Sequence, residues 1–190
     1  MPEAIEREQG MSYAEPAKES FGAFVDTIAA LRRPDGCPWD KVQTHESIAK
    51  NMIEEAYEAV DAIEHNDMVH LREELGDVLL QVVLQSQIAA DEGAFTIDDV
   101  CADVNEKMIR RHPHIFGDAH ADSPDDVRGL WESVKTEERK AQAQDTGSEQ
   151  PEGLIDSVPS GFPALMQAQK ISKKAVKAGF EWDTVDDVWD

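Results

Sequence analysis

The chain has 190 residues, 41% of them hydrophobic and 31% charged, which fits one ordinary folded domain with a sizeable core and a small appendage. A formal net charge of −22 argues against nucleic acid and anionic membrane as partners, because both are recognised through clustered Lys and Arg. There is no apolar run of about 18 residues, and the acidic start Met1-Pro2-Glu3 lacks the basic and apolar parts of a signal peptide, so a cytoplasmic protein is expected.

Residues 1–18 are polar, contain Pro2 and Pro16 and show no sustained periodicity, so they read as a mobile leader. From Ser20, a candidate N-cap, the recurrence of Phe21, Phe24, Val25, Ile28 and Leu31 at threes and fours predicts a first helix. Arg32-Arg33-Pro34-Asp35-Gly36 ends it. In the loop that follows, Trp39 and Lys41 have two readings. They could stack a base and contact phosphate, or Trp39 could simply plug the end of a bundle. Cys37 and Cys101 have neither CxxC spacing nor a Cys/His pattern, which leaves them as free thiols.

A second helix is predicted from Thr44 to Ile63, with Thr44 as its candidate cap and Ser47 as a second, and with Ile53, Ala56, Val60 and Ile63 as its apolar stripe. Glu55 and Glu58 fall at the border of that stripe, three residues apart and so on one face. Glu54 and Asp61 lie farther round. His65-Asn66-Asp67 breaks the pattern, and Asp67 caps a third helix from Met68 to Ala90. Leu71, Leu75, Val78, Leu79, Leu80, Val82, Val83, Leu84 and Ile88 surround nearly its whole circumference, as in a helix buried on almost all sides. Glu74, Asp77, Gln81 and Gln85 form one narrow polar stripe on it. Buried carboxylates require compensation, and a hard divalent cation is the economical partner. Gly76, inside this helix, has three readings: a close backbone approach, clearance for a ligand, or a glycine that the helix simply tolerates.

Asp91-Glu92-Gly93 closes the third helix, and Thr96 caps a fourth from Ile97 to Arg111. Its last turns hold Lys107, Arg110 and Arg111, a dense positive cluster and a candidate phosphate contact. His112 and His114 have no accompanying ligand pattern for a transition metal. Ser123-Pro124-Asp125-Asp126 starts another helix through Trp131 and on to Lys140. The domain division expected is a leader at 1–18, a catalytic domain at 19–140, a flexible linker at 141–157 and, at 158–190, the opening of a second copy. In that copy, Ala164 to Asp183 repeats the pattern of Ala23 to Asp40.

Gly36-Cys-Pro-Trp-Asp40, Gln43-Thr44, the EExxE at 54–58, the ExxD at 74–77 and Lys107-x-x-Arg-Arg-His-Pro-His-x-Phe-Gly-Asp118 together resemble the MazG family of nucleoside triphosphate pyrophosphohydrolases. The resemblance covers residues 20–140, with a weaker match at 158–190. It implies an all-α antiparallel helical bundle assembling as a homodimer or higher homo-oligomer. It also implies Mg²⁺-dependent cleavage of nucleoside triphosphates between the α and β phosphates, with Mn²⁺ as a substitute, in cleansing or control of the nucleotide pool. On this basis Glu55, Glu58, Glu74 and Asp77 are metal ligands, Lys107 and Arg111, with Arg110 beside them, face phosphate, and Trp39 and Lys41 line the nucleotide side. Glu54, off the face of the pair, is the candidate base for the attacking water. Two alternatives are a di-iron carboxylate bundle, which needs Glu-x-x-His and finds none here, and a non-enzymatic acidic helical adaptor.

Overall fold

A computed structural model describes residues 15–146, 153–156, 158–180, 182 and 184, with side chains from Glu19 to Glu138 and again from Gly153 onward. Most of the expected leader, residues 147–152 of the expected linker and the acidic end of the chain lie outside the described residues. Within them the chain is all helix: α1 (Glu15–Arg32), a 3₁₀ turn (Asp40–Val42), α2 (Ala49–Glu64), α3 (Met68–Asp91), α4 (Ile97–Arg111), α5 (Pro113–Phe116), α6 (Pro124–Thr146) and α7 (Ala164–Lys177). They fall into two compact units, residues 1–120 with α1 to α5, and residues 121–190 with α6 and α7.

The first unit is organised on the hairpin of α2 and α3. The connection is short because both helix ends are closed locally. Asn66 takes the left-handed conformation (φ 55°), which Asn tolerates better than most side chains. The amides of Asn66 and Asp67 return to the carbonyls of Ile63 and Ala62, closing α2. Asp67 then caps α3, accepting from the amides of Val69 (3.1 Å) and His70 (3.0 Å), as its sequence position predicts. Those bonds hold the Asp67 carboxyl below its ordinary pKa. At the far end of α3, Gly93 (φ 72°) and Ala94 repeat the same closure against Ala90 and Ala89.

The core lies to one end of this hairpin. Ile28 of α1, Ile48 just ahead of α2, and Val83, Leu84 and Ile88 of α3 are buried together, with Phe21, Phe24, Val25, Leu80 and Ile97 packed around them. Arg32 fastens the loop after α1 onto this cluster. Its Nε donates to Asp91 at 2.6 Å, and its Nη1 donates to the carbonyls of Asp40 (2.6 Å) and Gln43 (3.2 Å). Gly36 makes the turn feasible, since a Cβ there would stand 2.4 Å from the Leu31 carbonyl oxygen.

Several expectations are corrected. Helix α1 begins at Glu15, which puts Ser20 inside it rather than at its cap. Thr44 does not start α2: Thr44 and Ser47 exchange side-chain to backbone hydrogen bonds that close a separate turn, and the helix follows from Ala49. Helix α6 is described through Thr146, so residues 141–146 of the expected linker are helical, a run whose Ala and Gln sustain a helix. The expected apolar stripe of α2 does not form the packed face. Ile53, Val60 and Ile63 remain 47%, 47% and 55% exposed, while the smaller Ala59 and Ala62 are buried. Apart from Glu74, the buried residues of α3 lie in its second half, and Leu75 and Leu79 are exposed. Gly76 has open space where a Cβ would stand, so no close backbone approach explains it.

Replacing Arg32 with Ala should destabilise the chain by about 2–3 kcal/mol, because several charge-assisted bonds at a nearly buried guanidinium are lost together. Urea unfolding measures this, and a loss under about 0.5 kcal/mol would show that the loop is held by other contacts.

Candidate metal centre

The α2–α3 hairpin determines where the acidic side chains meet. Glu55 and Glu58 lie one turn apart on α2, and Glu74 stands on the facing part of α3. One carboxylate oxygen from each of the three falls within 4.8 Å of the others. Glu74 is only 6% exposed, and its Oε2 is buried without a hydrogen-bond partner. Its Oε1 lies 2.8 Å from His70 Nε2.

Crowding shows in the protonation of Glu55. Partial burial raises its pKa above the ordinary 4.5, and the charges of Asp77, Glu58 and Glu74 add to the rise, as does a hydrogen bond to the Glu58 carboxyl. Asp77 lies outside the 4.8 Å trio, yet it is the strongest of the acidic neighbours acting on Glu55. All four expected ligands are therefore brought into one electrostatic neighbourhood. The donors in the trio are all carboxylate oxygens, one of them buried and unsatisfied. That set fits a hard divalent cation of the Mg²⁺ or Mn²⁺ kind and lacks the His ligand that a di-iron bundle requires.

Beside the trio a groove of about 700 Å³ is lined by Tyr57, Glu58, Val60, Asp61, Glu64, His70 and Glu74. Glu54 is exposed on α2 and belongs neither to the trio nor to this lining. The same holds for the expected substrate contacts. Lys107 is exposed on α4, Arg110 pairs with Glu106 at 3.5 Å, and Arg111 is half-buried near the end of the helix. Trp39 is 58% exposed, so in this chain it does not plug the bundle, and the Lys41 ammonium donates to the Pro34 carbonyl at 3.1 Å. Of the expected ligands Glu58 and Glu74 line the groove, with Glu55 in the trio beside it, and none of the expected cations lines it. Along the polar stripe of α3, Gln81 is buried, whereas Gln85 is engaged by His45 through ring and backbone.

His70, Tyr57 and Glu64 line the groove and were not singled out from the sequence as site residues. For His70 a signal was present: it precedes Glu74 by four positions on the same helix, the spacing at which side chains meet.

Fold and site together define an all-helical protein with an acidic cluster built on a two-helix hairpin. Residues 43–116 match the MazG nucleotide pyrophosphohydrolase domain, so this stretch of the chain is similar to the MazG family. It is 47% identical over 168 residues to the nucleoside triphosphate pyrophosphohydrolase of Escherichia coli strain K12, covering 88% of this chain and 61% of that protein. To the nucleoside triphosphate pyrophosphohydrolase/pyrophosphatase MazG of Thermotoga maritima it is 42% identical over 170 residues, 90% of this chain and 62% of that protein. An uncharacterized Bacillus subtilis protein, YabN, is 48% identical over 85% of this chain and 32% of its own length. The chain therefore spans a third to three fifths of these relatives. The crystal structure of a mazG-related protein from Thermotoga maritima shares the fold, with a TM-score of 0.52 at 24% identity over 62% of this chain and 98% of that one.

The raised pKa of Glu55 gives a pH-dependent expectation. A carboxyl that holds its proton more tightly in the folded state favours folding below the ordinary value of 4.5 and loses that contribution as pH rises through its folded pKa. Glu55→Gln should consequently raise the melting temperature of the metal-free protein at neutral pH, with the gain disappearing once both states are protonated. Thermal unfolding in EDTA at the two pH values tests this; an equal shift at both would show that charge crowding is not the cause.

Proposed function

We propose that this chain is a Mg²⁺-dependent nucleoside triphosphate pyrophosphohydrolase, with Mn²⁺ able to replace Mg²⁺, which hydrolyses the anhydride between the α and β phosphates to give a nucleoside monophosphate and pyrophosphate. The observation that carries the reading is the convergence of Glu55, Glu58 and the buried Glu74, with Asp77 beside them. The MazG domain and the names of the bacterial relatives support it.

In this reading Glu55, Glu58, Glu74 and Asp77 hold the cation, which when bound neutralises polyphosphate charge and lowers the pKa of water. Glu54, exposed next to the cluster in sequence, accepts the proton of the attacking water. Lys107 and Arg111, with Arg110 beside them, stabilise charge on the departing pyrophosphate. Trp39 and Lys41 meet the nucleoside end. Their exposure leaves Trp39 and Lys41 accessible to a substrate or to a second subunit.

A homodimer is part of the proposal, with higher assemblies built from it. The exposed Ile53, Val60 and Ile63 of α2, with Leu75 and Leu79 of α3, are large apolar side chains that one chain leaves in water. No helix among the described residues is long and apolar enough to cross a membrane. The substrate would reach the enzyme in the cytoplasm.

Glu58→Gln and Asp77→Asn should each lower Mg²⁺-dependent pyrophosphate release by on the order of 10³-fold while the helical circular dichroism spectrum is kept. Undiminished turnover in both would sink the assignment, and a wild-type chain binding neither Mg²⁺ nor nucleotide would point to an adaptor instead. Analytical ultracentrifugation checks the assembly: Val60→Glu with Ile63→Glu should convert a dimer to a monomer, since apolar contact would be replaced by buried charge.

A further inference from the structure

We propose that His70 is a positioning residue for Glu74, fixing which carboxylate oxygen of that side chain is presented to the cation. The inference rests on the metal reading above and deepens it. Glu74 sits almost entirely out of water, where a carboxylate without donors is costly. The nitrogen that faces it is His70 Nε2, 2.8 Å from Oε1. That contact requires the proton on Nε2, because a carboxylate oxygen only accepts. With Oε1 engaged, Oε2 is the oxygen left for an ion, and it is buried with no hydrogen-bond partner.

The histidine is itself held in place. His70 is the third residue of α3, and its amide donates to the capping carboxylate of Asp67 at 3.0 Å, so the backbone that carries the ring is fixed by the turn that joins α2 to α3. Glu74 follows His70 by four positions, which stacks the two side chains along one face of the helix. The ring remains partly exposed at the edge of the groove, between Tyr57, Asp61 and Glu64 on α2, and it is not a member of the carboxylate trio. It therefore reaches the ion through Glu74 and not directly. An oriented carboxylate loses less freedom when it binds a cation, and donors behind metal ligands typically contribute about 10–100-fold in affinity.

The test is Mn²⁺ binding to the full chain, followed by electron paramagnetic resonance of the unbound ion. Wild type is compared with His70→Leu, His70→Asn, His70→Gln and Glu58→Gln. The leucine removes the donor, the asparagine amide falls short of Glu74, and the glutamine amide can reach it. Leucine and asparagine should weaken Mn²⁺ binding about 10–100-fold, with glutamine restoring most of the loss. Pyrophosphate release by His70→Leu should recover at saturating Mn²⁺, as a defect of ion binding predicts. Unchanged Mn²⁺ affinity in His70→Leu and His70→Asn, or glutamine no better than leucine, overturns the proposal. Glu58→Gln separates the two levels of inference. If it loses Mn²⁺ while the His70 variants do not, only the role of His70 fails. If it too binds as wild type, the metal reading of the cluster fails, and this proposal with it.

Discussion

Carboxylates of like charge repel, and one of the three that meet here is withdrawn from water. They are held together by the α2–α3 hairpin, in which Ala59 and Ala62 let the two helices approach closely. The rest of the first unit can be understood as what keeps that hairpin from opening. Asn66 and Asp67 close one helix and start the next within a single turn, so the position of Glu74 relative to Glu55 and Glu58 is set by a few backbone bonds. A looser connection would let the acids move apart, removing both the repulsion and the site.

The opposing forces are separated in space. The apolar core around Ile48, Val83, Leu84 and Ile88 lies along the second half of α3, while the acids occupy its first half. One helix thus carries the stabilising burial at one end and the crowded charge at the other. Arg32 and the Gly36 turn tie the preceding loop to the core end, at the carbonyls of Asp40 and Gln43. The acidic end has no comparable hydrophobic support among the described residues, and its outer apolar side chains on α2 stay in water. Such an arrangement leaves a cation and a second protein surface as natural sources of further stability.

Much of the fold could be read directly from residue patterns. Asp67 and Thr96 cap the helices expected of them, and Gly93 closes α3, because each signal acts within about one turn of chain and needs no distant partner. The start of α2 was misplaced because Thr44 and Ser47 satisfy one another, a local competition that cap propensity does not resolve. The extra turns of α6 followed composition, since nothing between Lys140 and Gly147 breaks a helix.

By itself the sequence determined that the chain would be helical, that α3 and α4 would start at Asp67 and Thr96 and α3 close at Gly93, and that Glu55, Glu58, Glu74 and Asp77 would project at turn-related positions. Periodicity and capping are properties of one segment at a time. Only the tertiary structure decided which face of α2 is buried, since periodicity marks an apolar stripe without naming its partner, and the contact went to small alanines instead of Ile53, Val60 and Ile63. It likewise decided that His70 shares a groove with Tyr57, Asp61 and Glu64 of α2, and that Lys107 and Arg110 stay outside the groove lining in the single chain. Those outcomes depend on distances between helices, which no segment contains on its own.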